Sequence, residues 1–106
     1  MSFINTEYFK NLLLKERERV LKNIEEINKD LALIAAEDAI DDIEDLAQLE
    51  FENEREKAAL KALNDELKEI NEAIRKINEG RYGIDEKTGK PIPLLKLLKN
   101  PLLKHA

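Results

Sequence analysis

Two long heptad patterns of apolar residues dominate this sequence and restrict the folds that it can form. The first runs from residue 13 to residue 34 in alternating steps of four and three, through Leu13, Arg17, Val20, Ile24, Ile27, Leu31 and Ile34. The second runs from residue 46 to residue 77 in the same steps, through Leu46, Leu49, Asn53, Glu56, Leu60, Leu63, Leu67, Ile70, Ile74 and Ile77. This spacing, which is apolar except at Arg17, Asn53 and Glu56, places one seam along each of two helices and predicts that they pack as a coiled coil.

The segment between the two patterns, AAEDAIDDIED, is too short to hold another element. Its aspartates Asp38, Asp41 and Asp42 are candidates for the N-cap of the second helix, because a carboxylate can accept the free N–H groups there. Two helices joined by a short turn are antiparallel neighbours. We therefore predict an all-α fold in which residues 1–80 form a long antiparallel helical hairpin, a coiled coil with its tip near residues 37–47.

The remaining residues, 81–106, are predicted to form a small C-terminal module. Gly80 follows the second pattern and is expected to end the helix in a left-handed conformation. The stretch YGIDEKTGKPIP, residues 82–93, contains two glycines and two prolines and predicts a compact turn-rich segment, which we call the knuckle. LLKLLKN then predicts a short amphipathic helix that Pro101 ends. Its leucines are expected to pack on the hairpin: Leu94, Leu95, Leu97 and Leu98.

Composition and charge exclude several classes of function. Charged residues make up 39% of the chain and aromatic residues 5%, which does not suit an enzyme with a deep pocket. Without cysteine and with one histidine, the chain has no thiolate or multi-histidine metal site. No apolar run is long enough to span a membrane and no leader pattern is present at the start, so we expect a cytoplasmic protein.

The charges are also unevenly distributed. From Asp30 to Glu54 there are ten acids and no lysine or arginine, whereas from Lys87 onward there are five lysines and no acid. The basic segment favours a solvated surface over a nucleic-acid site, because it has no arginine or aromatic residue and the chain carries a net charge of −5.

Six of the acids lie within nine residues at the predicted tip, where like charges repel one another. Asp42 and Asp45 are three residues apart and would share a helix face, with the small Ala47 nearby. Such a pair suits insertion into a narrow, positively charged or metal-containing channel. It does not suit acid–base catalysis, which needs an enclosed pocket to shift pKa values. The other interpretations are helix capping with a solvated turn, and binding of a divalent cation, for which the glycine of a calcium loop is missing.

These features together resemble the DksA/TraR family of transcription regulators. The family's tip motif D-x-x-D-x-A is matched by Asp42, Asp45 and Ala47. Its zinc-finger motif is matched in the knuckle and after it, at Tyr82, Gly83, Gly89, Ile92, Lys96, Leu97 and Pro101. The chain departs from the family at the metal ligands. Asp85 and Thr88 occupy the first two cysteine positions, and Ala106 lies about where the third would come.

The resemblance implies a protein that binds RNA polymerase and inserts its tip into the secondary channel of the enzyme. Asp42, Asp45 and Ala47 would then lie near the polymerase active site, with Asp38, Asp41 and Glu44 as supporting acids. The resemblance further implies a monomer with no enzyme activity and no sequence-specific DNA binding. The longer family members act with guanosine tetraphosphate through basic residues at positions that fall at Glu69 and Asn100 here. Neither is basic, so the neighbouring Lys68 or Lys99 would have to bind guanosine tetraphosphate in their place.

The loss of the cysteines predicts a zinc-free module that something else must stabilise. We expect the leucines of residues 94–103 to replace the metal by docking on a set of apolar residues: Phe3, Ile4, Phe9, Ile77, Tyr82 and Ile84. The alternative function is a non-enzymatic helical-hairpin adaptor or a self-associating coiled coil, in which the tip is only a turn. An oxygen-ligand metalloenzyme is the third hypothesis.

Overall fold

The computed structural model describes residues 5–36 and 43–106. It contains three helices, α1 (Thr6–Ala36), α2 (Ile43–Asn78) and α3 (Leu94–Lys99). The two long helices pack against each other, which confirms the predicted all-α fold. In the described part of the chain there is no strand, only one isolated antiparallel bridge between Ile84 and Pro91. No helix in this part is long and apolar enough to cross a membrane.

Both ends of the helical region carry the expected capping chemistry. At the start of α1 the side-chain Oδ1 of Asn5 accepts a hydrogen bond from the backbone N–H of Tyr8 at 3.1 Å, as an N-cap residue does. At the end of α2 the N–H of Gly80 donates to Ile77 and the N–H of Arg81 donates to Lys76. These two bonds form a Schellman motif, and Gly80 has a φ of 74°, so the prediction for this glycine is confirmed.

The chain divides into two compact units. The terminal unit contains residues 5–18 and 68–106, and the middle unit is Arg19–Leu67. The predicted division at residue 80 follows the sequence motifs and stays a prediction.

Among the residues whose burial is described, most of the buried apolar side chains belong to the terminal unit. On α1 and α2 these include Phe9, Leu13, Ile70, Ala73 and Ile74. The knuckle and α3 add Tyr82, Ile92 and Leu97. The rings of Phe9 and Tyr82 have their centroids 5.4 Å apart. The knuckle therefore packs directly on α1.

The predicted docking of the leucines is wrong for three of the four residues in α3. Leu97 is fully buried, but Leu94, Leu95 and Leu98 are 47%, 74% and 47% exposed. Ile84 is also largely exposed, and Phe3 and Ile4 lie outside the described residues. A six-residue helix that packs with one face can bury little more than one side chain, so these leucines do not replace the metal.

Polar side chains of the two long helices pair with each other within each unit. In the terminal unit, Arg17 Nη1 donates to Asn71 Oδ1 at 3.1 Å. In the middle unit, Arg19 pairs with Glu66 at 3.0 Å, while Val20 is completely buried. Long side chains lean toward the N-terminus of their own helix, which allows such pairs to meet across an antiparallel hairpin.

Candidate functional site

The predicted tip residues lie at or beyond the edge of what the structure describes. Asp38, Asp41 and Asp42 fall outside the described residues. Glu44, Asp45 and Ala47 are backbone positions within the first five residues of α2. The tip motif thus covers the point at which the second long helix begins, and the shared face of Asp42 and Asp45 stays a prediction.

Asp85 is the centre of the knuckle, at the position of the first family cysteine. Its backbone N–H donates to the Lys90 carbonyl and its own carbonyl accepts from Gly89, both at 2.8 Å. Its carboxylate Oδ1 accepts from the N–H groups of Lys87 at 2.7 Å and Thr88 at 3.2 Å. An aspartate that binds the backbone two and three residues ahead in this way forms an Asx turn.

The same carboxylate also fixes the end of the described chain. Oδ2 of Asp85 accepts a hydrogen bond from the N–H of Ala106 at 2.8 Å, and Nδ1 of His105 lies 3.4 Å from Oδ1. Asp85 is only 5% exposed, so these partners replace the water that a carboxylate normally binds. Hydrogen bonds from Ala106 and Lys87 favour the charged form and hold the pKa of Asp85 well below its ordinary value.

The residues of the knuckle do not fit a zinc ion. The chain has no cysteine, and among the described residues there is no group of three or more potential ligands that could hold a metal. The Asp85 carboxylate already accepts from three backbone N–H groups, and Thr88 Oγ1 accepts from the N–H of Lys90 at 3.2 Å. The atoms at both cysteine positions are therefore used by hydrogen bonds within the protein.

Ion pairs connect the knuckle and the C-terminal segment to α2. Lys76, a buried residue of α2, pairs with Glu86 of the knuckle, and this contact lowers the pKa of Glu86. Lys104 pairs with Glu72 of α2 at 3.3 Å, and its carbonyl accepts the N–H of Glu86 at 2.9 Å. One ion pair thus connects the knuckle to the second helix, and another connects the C-terminal segment to it.

Tyr82 supplies the third connection. Its ring is buried and its hydroxyl donates to the carbonyl of Pro101 at 2.8 Å. Burial raises the pKa of Tyr82 to about 12, because the phenolate would lose its hydration. Tyr82 therefore joins the knuckle to the segment that follows α3.

The positions linked to guanosine tetraphosphate by the resemblance are at the surface of the terminal unit. Glu69 and Asn100 are exposed, as are Lys68 and Lys99. The side-chain Oδ1 of Asn100 accepts the N–H of Leu102 at 3.1 Å, so this residue shapes the turn after α3.

Sequence reasoning identified Asp85 only as a missing cysteine and overlooked its structural role. A local signal was present, since Asp85 is followed by a turn sequence ending in Gly89, which has a φ of 72°. No sequence signal indicated the contact with Ala106, which lies 21 residues away.

Two long packed helices followed by a small hydrogen-bonded knuckle define a helical hairpin with a C-terminal module. This fold is similar to that of a solved transcription factor, DksA2 from Pseudomonas aeruginosa, with a TM-score of 0.85 and 29% sequence identity. The match covers 95% of this chain and 76% of that chain. No protein-family model matches the sequence, and no curated protein matches it. The chain therefore has a DksA-like fold, and the protein that it resembles in structure is a transcription factor.

Proposed function

We propose that this protein regulates transcription by binding RNA polymerase and inserting the segment between α1 and α2 into the secondary channel of the enzyme. The observation that carries the proposal is the fold shared with transcription factor DksA2 over 95% of the chain. The match to the tip motif D-x-x-D-x-A at Asp42, Asp45 and Ala47 supports it, because this motif falls where α2 begins.

In this proposal the tip acts through charge and contact. Asp42 and Asp45 present two carboxylates near the active site of the polymerase, and the small Ala47 allows close approach. Their field alters the lifetime of the initiation complex, since charges in a confined low-dielectric channel interact strongly. Asp38, Asp41 and Glu44 add to the negative potential without contacting the reacting groups. The protein itself performs no chemical step.

The terminal unit has a supporting role that does not require zinc. The Asp85 hydrogen bonds connect the knuckle to the C-terminal segment, and one ion pair from each of these two parts connects them to α2. We infer that the protein therefore works without zinc. Cooperation with guanosine tetraphosphate would depend on Lys68 or Lys99, because Glu69 is acidic and Asn100 already binds the backbone of Leu102.

The test measures binding to core RNA polymerase and the lifetime of an open promoter complex. The wild type is compared with a variant that carries both Asp42→Asn and Asp45→Asn. We expect the variant to bind polymerase but to lose the effect on the open complex. The matched control carries Asp30→Asn and Asp65→Asn, which neutralise two exposed aspartates elsewhere on α1 and α2 and should leave the effect intact.

Two results would count against the proposal. If the wild type does not bind polymerase, the hairpin resembles the family in shape only, and the adaptor function becomes the better explanation. If the tip variant unfolds, the acids are needed for structure. Measurements with and without guanosine tetraphosphate, on the wild type and on Lys68→Ala and Lys99→Ala, decide the cofactor question separately.

A further inference from the structure

Three exposed leucines form an apolar surface on α3. At 100° per residue, Leu94, Leu98 and Leu95 follow one another around a single side of this helix, while Leu97 points into the core. Their exposures of 47%, 47% and 74% contrast with complete burial of Leu97. Single exposed leucines are common on protein surfaces, but three adjacent ones on a six-residue helix form a contiguous patch of the kind that marks an interaction site.

Lysines without a paired acid occur on the same helix and in the segment before it. Lys96 and Lys99 are on α3, and Lys87 and Lys90 are in the preceding knuckle. None of these four lysines has an ion-pair partner within the described residues, and no acid occurs after Glu86. We call Leu94, Leu95, Leu98, Lys96 and Lys99 the α3 surface. Its chemistry requires a partner with both apolar and acidic groups.

The chemistry of the α3 surface favours a protein partner over a nucleic acid or a lipid membrane. It has no arginine and no aromatic residue to stack on bases, and the helix is only six residues long. The net charge of −5 would also repel phosphate groups.

A complementary surface is present in the middle unit of this chain. The window from Asp30 to Glu54 contains ten acids and no lysine or arginine. Within its described part, Glu50 and Glu54 are exposed one helical turn apart on α2. Leu33 is 64% exposed, and Phe51 is 60% exposed with the Arg55 guanidinium 5.8 Å from its ring centroid, so apolar groups accompany the acids.

We propose that the α3 surface of one copy docks on the acidic surface of the middle unit in a second copy. The leucines would cover Phe51 or Leu33, while Lys96 and Lys99 would pair with Glu50 and Glu54. Opposite charges on two different surfaces bring copies together in one orientation and disfavour the pairing of like surfaces. This self-association does not depend on the proposed binding to RNA polymerase, so the two proposals can be tested independently.

Sedimentation equilibrium of the full chain from about 1 μM to about 1 mM tests this contact over the range of weak to moderate affinities. We expect the average mass to rise above 12.3 kDa with concentration. In about 1 M salt, where the Debye length is roughly 3 Å, the association should weaken.

Replacing Leu95 and Leu98 by glutamine should weaken the association by about tenfold or more, as loss of a central apolar contact does. Because both side chains are exposed, thermal unfolding should be unchanged, and Leu95→Gln alone is available if the double variant is unstable.

Charge reversal provides the decisive comparison. One variant carries Lys96→Glu with Lys99→Glu, and the other carries Glu50→Lys with Glu54→Lys. Each alone should remain monomeric, and an equimolar mixture should associate again because the reversed charges are complementary. A wild type that stays monomeric at every concentration would overturn the proposal. So would association that the α3 variants do not change, or a mixture of the reversed variants that stays monomeric.

Discussion

Asp85 and Ala106 are joined by a hydrogen bond of 2.8 Å from the backbone N–H of Ala106 to the carboxylate of Asp85. The bond connects the knuckle to the last described residue of the chain, across 21 positions of sequence. In the zinc-binding pattern that the sequence resembles, these positions correspond to the first cysteine and approximately to the third. A buried carboxylate with several N–H donors thus provides the cross-connection for which the zinc-finger pattern uses a metal.

The replacement Asp85→Asn should destabilise the protein at neutral pH. The amide keeps the shape of the side chain, but its NH₂ group cannot accept, so at least one of the N–H groups of Lys87, Thr88 and Ala106 loses its partner. Thermal unfolding followed by circular dichroism should show a lower midpoint. Amide hydrogen exchange should become faster at Lys87 and Ala106 before it changes in the long helices.

The control for this experiment is Asp65→Asn. Asp65 is exposed and pairs only with Lys61 one turn away, a type of contact worth about 0.3 to 0.5 kcal/mol. Equal midpoints for Asp85→Asn and the wild type would show that Asp85 does not hold the knuckle.

Acid should remove the contribution of Asp85 in a defined pH range. The pKa of Asp85 is held below its ordinary value of 3.8, so the folded state binds a proton less readily than the unfolded state. The stabilisation is therefore fully present above pH 3.8 and is lost as the pH falls through the folded pKa. Urea unfolding from neutral pH downward should show that the stability difference between wild type and Asp85→Asn shrinks below about pH 4. A difference that stays constant throughout would contradict this assignment.

Removal of metal should have no effect on folding. In small zinc fingers the ion supplies on the order of 10 kcal/mol, and chelators unfold them. Here the chain has no cysteine, and the atoms of Asp85 and Thr88 at the two ligand positions are engaged by backbone N–H groups. Thermal unfolding with excess chelator and with added zinc should give the same midpoint, while a zinc-finger peptide treated in parallel should unfold on chelation. A midpoint lowered by the chelator would mean that a metal stabilises the fold.

The helices could be predicted because each of their features is local in sequence. Heptad spacing identifies the residues that become buried, such as Leu13, Val20 and Ile70, and a glycine after a helical pattern identifies its end at Gly80. The exposure of the leucines in α3 was not predictable in the same way. A six-residue helix rich in leucine has no clear period, and the surface already covering Leu97 decides which side is buried.

The same difference between local and distant contacts applies to the candidate site. The tip motif depends on a pattern of four to six residues and is readable from the sequence, although its effect depends on a partner. The role of Asp85 depends on a residue 21 positions away, and no periodicity or turn preference links distant backbone groups to a carboxylate. The zinc-ligand pattern does not indicate this role either, because at position 85 it shows only that a cysteine is absent.

Two leucines of α3 provide a matched test of the packing. Leu97 is completely buried, so Leu97→Ala should leave a cavity and cost about 2 to 5 kcal/mol of unfolding free energy. Leu95, two residues earlier, is 74% exposed, so Leu95→Ala should change stability by less than about 0.5 kcal/mol. Urea unfolding of both variants gives the comparison. Similar losses for the two would mean that α3 docks through a different side.

Tyr82 should titrate at an unusually high pH while the protein is folded. Burial raises its pKa from 10.0 to about 12, which means that the folded state favours the neutral phenol. The resulting stabilisation is present below pH 10 and is lost as the pH rises through the folded pKa. The chain has two tyrosines, so Tyr8→Phe leaves Tyr82 as the only phenol, and absorbance near the phenolate band then follows this group alone. In the folded Tyr8→Phe variant, Tyr82 should ionise at a clearly higher pH than in the same variant in denaturant.

The control variant Tyr82→Phe should lack this transition. It should also lose about 1 kcal/mol of unfolding free energy with the hydrogen bond to Pro101. Ionisation at the same pH in native and denatured protein would show that the ring of Tyr82 is open to solvent and that the knuckle does not pack on α1 through Phe9.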